Sequence, residues 1–452
     1  MEKNLPKNWT ETDLGTVLSR ITNGSSLKQQ EKPFDGSYPI TRIETIWKET
    51  IDLNRVKYVK PSKNDIEKYG LHKGDILFSH INSGKHIGKT VVFNLDETVI
   101  HGINLLLLRT KPYVSGFFLN YLLTHFRFSG KFMEKAQHSV NQCSINQKKL
   151  KEFVVPLPPF PEQQRIVAKA DVLMAKVATM QKSLERIPKL LKEFRQQVLT
   201  QAVTGKLTKG WRKGKNLGKW LSTKKEYNFR PWNINLPESW NVFAFQTVAN
   251  INANLNNPNE YLNHILIAPN HIEKNTGRLI ETQLTKEIMP KSDKHYFEKG
   301  SIIYSKIRPY LSKLILADFD GLCSADMYPI SAEINQKFLF HFMLSQTFLQ
   351  YATTAGERSV LPKINQKGLN NIPVPVPPLL EQKEIVHRVE SLFAKVDAIE
   401  GKYKSLKRRI DTLPQAILHK AFKGELVAQL PNDGDAKELL REIKGLKQSI
   451  SV

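Results

Sequence analysis

INQKKLKEFVVPLPPFPEQQRIVAKADVLMAKV, residues 145–177, returns as INQKGLNNIPVPVPPLLEQKEIVHRVESLFAKV, residues 364–396. The correspondence runs without a gap from Ile145–Thr208 to Ile364–Val427, at a constant shift of 219 residues. A long-period repeat dictates architecture before any local feature does. One long element occurs twice, and a domain-sized segment precedes each copy. This predicts a pseudo-two-fold α+β protein with two heads on one frame.

Within the repeat, apolar residues alternate at spacings of four and three. Copy one runs Ile166, Ala170, Leu173, Val177, Met180, Leu184, Ile187, Leu191, Phe194, Val198. Copy two runs Ile385, Val389, Leu392, Val396, Ile399, Tyr403, Leu406, Ile410, Leu413, Ile417. A sustained heptad pattern is that of a coiled coil, whose knobs require a partner helix. A single helix from Pro161 to Val203 would extend roughly 60 Å. Each buried side chain gains roughly 1.5–3 kcal/mol, so the two stripes are expected to pair. Helix one ends where the second domain begins and helix two leaves that domain, so the simplest pairing is antiparallel, with a parallel pair as the less symmetric alternative. Pro188 and Pro414 occupy non-equivalent positions and each should kink or split its helix. The proline runs VPLPPFPEQ and VPVPPLLEQ predict stiff, extended leads into the helices. Pro161 suits a first helical turn, and Glu162 and Glu381 complement the positive helix start.

The boundaries that follow are a first domain over 1–155, a helical spacer over 156–205 and a basic linker over 206–235. A second domain covers 236–374, a second spacer 375–427 and a tail 428–452. The linker, KLTKGWRKGKNLGKWLSTKK from Lys206, reads as a solvated connector, with contact to phosphates as the alternative.

The charge balance narrows the partner. Against 43 acidic residues stand 67 Lys and Arg, a formal net charge of +24. Such an excess repels itself in the compact state and points to a polyanion, nucleic acid ahead of an anionic membrane surface. No apolar run is long enough to span a bilayer, and the polar start MEKNLPKNWT has no signal-peptide core. Two cysteines, Cys143 and Cys323, are too few for a disulfide framework, so a reducing, cytoplasmic setting is expected.

The heads echo each other more faintly. LPKNW (5–9) matches LPESW (236–240), and KGDILFS (73–79) matches KGSIIYS (299–305). Each of the latter predicts a turn and a short strand leading to a polar, basic tip and a further strand. The first tip carries His80, Asn82, Ser83, Lys85, His86 and Lys89; the second carries Lys306, Arg308, Tyr310 and Lys313. Lys and Arg neutralise phosphates, Arg pairs with guanine edges and Asn with adenine edges, so these are candidate DNA contacts. Thr41 and Arg42 in YPITRIETI (38–46), and Asn270 and His271 in HILIAPNHIE (264–273), are expected on the same surface. The heads differ most at these places, which implies two different sequences read.

Motifs for catalysis are missing. The chain has no G-x-x-x-x-G-K-[ST] phosphate loop, G-x-G-x-x-G turn, HExxH or paired CxxC. PPF at Pro158–Phe160 follows Leu157, not the Asn or Asp of an amino-methyltransferase tetrapeptide. No metal site is expected.

The whole layout resembles the specificity subunit of type I restriction–modification systems. The residues carrying the resemblance are LPKNW/LPESW, KGDILFS/KGSIIYS, INQK…PLPP…EQ with its twin INQK…PVPP…EQ, and the helix exits FRQQVLTQAVTGKLT (194–208) and LPQAILHKAFKGELV (413–427). It covers essentially the full chain. The resemblance implies two target-recognition domains, each reading half of a split, asymmetric DNA sequence. Two methyltransferase subunits would dock on the helices, whose coiled-coil and docking positions include Ile166, Leu173, Val177, Leu184, Leu191, Ile385, Leu392, Val396, Leu406 and Ile410. Restriction subunits would join that complex. It further implies no cofactor in this chain, with S-adenosylmethionine, ATP and Mg on the partners. The competing readings are a stand-alone methyltransferase or nuclease, which would bind S-adenosylmethionine alone, and a non-DNA coiled-coil adaptor. An RNA binder is a further reading, although no stacking platform is visible.

Overall fold

The computed structural model describes residues 5–47, 49–84, 86–138, 143–222, 235–354 and 362–449. The chain is α+β and resolves into two compact units, residues 1–184 with 406–452, and residues 185–405. Each unit therefore takes one head and a portion of both repeated helical elements.

Copy one forms α1 (Phe160–Leu184) and α2 (Ile187–Val203), copy two forms α3 (Leu379–Phe422), and α4 (Ala436–Ser449) follows. The single helix expected over 161–203 is thus two. Pro188 lies in the first turn of α2, where a proline's missing donor is one the helix does not use. Pro414 stays inside an unbroken α3, at the cost of the bond its nitrogen would have donated.

Within each unit the helices run antiparallel, as the connectivity suggests. In the first, Gln429 donates to Glu162 at 3.0 Å and Gln181 to Asp411 at 3.1 Å, so rising numbers on one strand of the pair meet falling numbers on the other. In the second, Arg195 pairs with Asp397 and Arg212 with Glu381. Burial along the stripes is uneven. Ile166, Ala170, Val177, Val198, Ile385, Val389, Val396 and Ile410 are buried, but Met180, Phe194, Ile399 and Leu406 are 42–50% exposed. Leu406, expected in the seam, lies where the chain divides between units. A pair of helices alone cannot enclose every position of a stripe.

The first head contributes β1 (Thr10–Asp13), β2 (Leu18–Asn23), β3 (Ile76–Phe78), β4 (Thr90–Val92), β5 (Leu106–Thr110) and β6 (Val154–Leu157). An antiparallel sheet runs β2-β5-β3-β4, and β6 returns to pair with β1. The second head repeats the plan with β7 (Asn241–Ala244), β8 (Ala249–Ile251), β9 (Ile302–Ser305), β10 (Leu314–Leu316), β11 (Met327–Ala332) and β12 (Pro373–Val376). Its sheet runs β8-β11-β9-β10, and β12 pairs with β7. The head-side part of each proline run, Val154–Leu157 and Pro373–Val376, is therefore a paired strand. A two-stranded pair is all edge, where Pro156 and Pro375 are tolerated. The second head adds a five-stranded mixed sheet, with Ile265–Ile267 parallel to Gly321–Cys323.

The Glu-Gln dipeptide of each helix start is wholly buried in both units. Gln163 accepts from the backbone of Ser115 at 2.9 Å and donates to Pro158 at 3.0 Å; Gln382 accepts from Asn335 at 2.8 Å and donates to Pro377 at 2.8 Å. Ser115 and Asn335 are the N-caps of the helices Gly116–Phe128 and Gln336–Met343, so one amide joins each head's helix to a long helix. Glu162 accepts from Asn8 and Gln429, each at 3.0 Å; Glu381 accepts from Trp240 at 2.9 Å, Thr208 at 2.7 Å and Arg212. The helix exits complete these junctions. Gly205, at φ +71°, and Gly424, at φ +74°, lie so close to Pro237 and Pro6 that a Cβ would come within 2.5 and 2.2 Å.

The segments read as linker and tail are also structured in part. Trp220 stacks edge-on against Phe243 at 5.0 Å, and Arg212 reaches the buried Glu381. The tail helix α4 buries Ile443 against the first head, where Lys111 donates to the Ile443 carbonyl at 3.0 Å. Arg165 of α1 grips Asp433 ahead of it through two bonds of 2.6 Å. Among the described residues no helix is long and apolar enough to cross a membrane.

Two outcomes follow. Glu381→Ala strands a guanidinium and an indole donor and should cost on the order of 3 kcal/mol, against about 1–2 kcal/mol for Glu162→Ala, whose donors are neutral amides; urea unfolding measures both. The Arg165 guanidinium holds the Asp433 carboxyl below its ordinary value. Its stabilisation is therefore complete above the unfolded carboxylate pKa of about 3.9 and is lost as pH falls through the lower folded value. Asp433→Asn should remove this part of the acid sensitivity, read as a flatter unfolding midpoint between about pH 5 and 2.

Candidate nucleic-acid interface

The strand–tip–strand units sit where the sequence places them, and one backbone device frames both. In the first head, Ile81 and Asn82 pair with Ser144 and Cys143, and Ile145 donates to the His80 carbonyl at 2.9 Å. In the second, Ile307 bridges Lys363, and Ile364 donates to the Lys306 carbonyl at 2.9 Å. Ser144 and Lys363 are the same position of the repeat. The residues just before each INQK therefore clamp the base of each tip, and the side chains beyond are free to differ.

The first tip closes on itself. Ser83 accepts from the backbone of His86 at 2.8 Å and Ile87 at 3.0 Å, and Ile87 is buried beneath. Asn82 holds the turn, donating to the Ser79 hydroxyl at 3.1 Å and accepting from the Ser83 backbone at 2.8 Å. Ser83 and His86 are exposed and Lys89 is half-buried. Burial and neighbouring Arg127 lower the Lys89 amine. His80 is buried, and burial pulls its imidazole down. Lys85 lies outside the described residues.

In the second tip a 3-10 turn, Pro309–Leu311, is bracketed by Arg308 (φ 48°) and Ser312 (φ 43°). Two left-handed residues that are not glycine within five positions are sparsely populated geometry, a feature that clusters at functional loops. Arg308 and Tyr310 are exposed, and the Lys306 ammonium lies 5.1 Å from the Tyr328 ring centre. Lys313 donates to the Pro269 carbonyl at 2.6 Å, so it fastens the tip to the segment carrying Asn270 and His271. Burial and then Arg308 lower its amine.

The two flanking segments divide between surface and scaffold. Asn270 is exposed, and half-buried Arg42 pairs with Glu44 at 2.9 Å. Thr41 is buried, its hydroxyl accepting from the Gly102 backbone at 2.9 Å, and His271 is buried, accepting from Ala268 at 3.3 Å. Both are spent on the fold. The structure so leaves Arg42, Ser83, His86, Lys89, Asn270, Lys306, Arg308 and Tyr310 as the sequence-predicted side chains at or near the surface. Sequence reasoning missed the exposed Trp47, whose ring carries the Arg55 guanidinium at 3.7 Å; its place in YPITRIETIW beside Arg42 is the available signal. Among the described residues no group of three or more His, Cys, Asp or Glu side chains is arranged to hold a metal ion.

Two unlike heads with basic tips on one duplicated, helix-paired scaffold fit the layout of a DNA specificity subunit. The profile described as "Type I restriction modification DNA specificity domain" matches residues 6–189 and 237–408, one match per repeat. The chain belongs to that family, as a non-catalytic recognition subunit. The EcoDI type I restriction enzyme specificity subunit of Escherichia coli is 46% identical over 311 residues, 66% of this chain and 70% of that protein. A putative type I restriction enzyme MjaX specificity subunit of Methanocaldococcus jannaschii is 31% identical over 444 residues, 93% of this chain and 94% of that one. Among solved structures, the HsdS subunit from Thermoanaerobacter tengcongensis superposes with a TM-score of 0.57 at 16% identity, covering 94% of this chain and 100% of that one. A chain from a study of assembly and conformational transition in a type I R-M system gives 0.65 at 17% identity, covering 93% and 99%. These two likenesses speak for the fold alone.

Arg308→Ala should leave the unfolding midpoint unchanged and lower the slope of log affinity against log salt by about one, if its guanidinium meets a phosphate. Lys313→Met, which removes a tie within the head, should lower stability by about 1 kcal/mol instead. Anisotropy titrations on a labelled duplex at several salt concentrations distinguish the two.

Proposed function

We propose that this chain selects a two-part DNA sequence, each head reading one half in the major groove, and that its paired helices set the spacing. The observation carrying this reading is the clamped tip. One backbone frame, Ile81 on Ser144 and Ile307 on Lys363, presents His80–Lys89 in one head and Lys306–Lys313 in the other. A shared frame with divergent side chains suits two readers of different sequences. Base-edge contacts would choose the site and phosphate contacts would fix register. The net charge of +24 supports a polyanionic partner.

The helices also have surface to spare. Val172, Met180 and Leu406 in the first unit, and Leu190, Phe194 and Ile399 in the second, are 42–58% exposed. Large apolar side chains left outside on both units suit the docking of two methyltransferase subunits, one to each. Those partners would carry S-adenosylmethionine and methylate adenine, and restriction subunits using ATP and Mg would complete the endonuclease. The setting would be the cytoplasm.

Mapping methylated adenines in cells that express this chain with its methyltransferase partners tests the reading; a split, asymmetric motif is the expected result, and an undivided motif would sink it. Lengthening both helical copies by one heptad should change the spacer and leave both half-sequences intact. Phe194→Asp with Ile399→Asp should weaken methyltransferase docking on the second unit, seen by native mass spectrometry, while duplex binding by the chain alone is preserved. That binding should fall by about 10³–10⁵ between 50 and 200 mM salt if six to ten phosphates are met.

A further inference from the structure

In the second unit, a charge network ties a hairpin of the head to the long helices. Arg278 reaches Asp397 and Glu400 of α3, the latter at 3.5 Å. Arg195 of α2 reaches the same two carboxylates, Glu400 at 3.4 Å, and Lys404 closes on Glu400 at 2.8 Å. A lone exposed ion pair would mean little, but two carboxylates shared by two guanidiniums form a directional, multiply fastened network. Burial works to raise the Asp397 carboxyl, yet Arg195 and Arg278 hold it below its ordinary value.

Arg278 closes the turn of a short hairpin. Its carbonyl accepts from Glu273 at 2.9 Å, Ile272 bridges Leu279, and Ile280 donates to the His271 carbonyl at 2.8 Å. The turn itself touches the tip: the Asn275 backbone donates to the carbonyls of Leu311 and Ser312, each at 3.2 Å. A continuous line of bonds therefore runs from the helices through Arg278 to the turn that presents Arg308 and Tyr310. The first head is fastened differently. The hairpin after its own 38–46 segment sends Glu49 to Arg127 within the head at 2.8 Å, and Tyr121 donates to Asp171 of α1 at 2.5 Å.

We infer that Arg278 is a positioning residue for sequence reading by the second head, holding its contact loop in register with the helices. The inference rests on the reading of that head as a half-site reader.

The experiment is a genome-wide methylation map of the full chain with its methyltransferase partners, unsubstituted and as Arg278→Ala, Arg278→Lys, Asp397→Asn and Arg308→Ala. With Arg278→Ala, methylation at sites carrying one mismatch should rise by at least about fivefold, in one half of the target only, the half that Arg308→Ala disturbs. Asp397→Asn should loosen the same half from the helix side, and Arg278→Lys, which keeps the charge without the fork, should lie between. Unfolding midpoints of the variants should match that of the parent. Unchanged stringency in both halves, or equal loosening of both, overturns the inference. The unsubstituted map separates the two claims. Without a two-part target the underlying reading fails and takes the inference with it; with one in place, the variants alone decide.

Discussion

The buried Glu-Gln pair at the first turn of each long helix is the constraint on which the rest of the structure hangs. A carboxylate removed from water has to be met by donors, and those donors come from far along the chain. Glu162 draws on Asn8 and Gln429, and Glu381 on Trp240, Thr208 and Arg212. In each case the head's opening segment, the helix start and the exit of the other helical copy meet at one point. Gln163 and Gln382 then fasten the head's own helix to the same turn. The first unit is thereby closed from two separate stretches of chain, 1–184 and 406–452, whereas the second is closed within 185–405. The antiparallel pairing is enforced at its ends by polar junctions and supported between them by the apolar stripe.

This division of labour explains what the heptads conceal. Burial concentrates where helices meet heads: Ile166, Leu418 and Phe422 belong to the first core, and Val198, Ile385 and Val389 to the second. The central positions Met180, Phe194, Ile399 and Leu406 keep the rhythm but remain substantially exposed. A stripe whose ends are already satisfied and whose middle is not is suited to hold its own fold and to offer surface to a partner.

The repeat made the architecture legible, because a 64-residue echo leaves few arrangements that treat both copies alike, and the antiparallel pairing followed from connectivity. The split at Pro188 was half visible: a proline marks where a helix can start as well as where one must bend, and tertiary packing decides between them. The roles of Glu162 and Glu381 were misjudged because a glutamate in a first turn has a sufficient local explanation in the helix dipole. Nothing local says that Trp240 or Gln429 will arrive. Among the candidate contacts, the loops were found but the side chains were not sorted. Thr41, His80 and His271 are polar letters in polar surroundings, and only the fold reveals that each faces inward.

The two heads share a frame but not their fastenings, and this bears on how a duplicated protein can read two things. The clamp from Ser144 or Lys363 is backbone, so it survives any change of side chain at the tips. Whatever differs between the heads must then lie in side chains that leave the frame untouched, or in how the tip is anchored. In the second head the anchor is a network of guanidiniums and carboxylates reaching α2 and α3; in the first it is a hydroxyl on Asp171 and an ion pair internal to the head. Charge networks weaken with salt, whereas a hydrogen bond from a neutral phenol to a carboxylate does so less. The second head's register should consequently be the more sensitive to ionic strength, an asymmetry that a repeat with equal copies would not have.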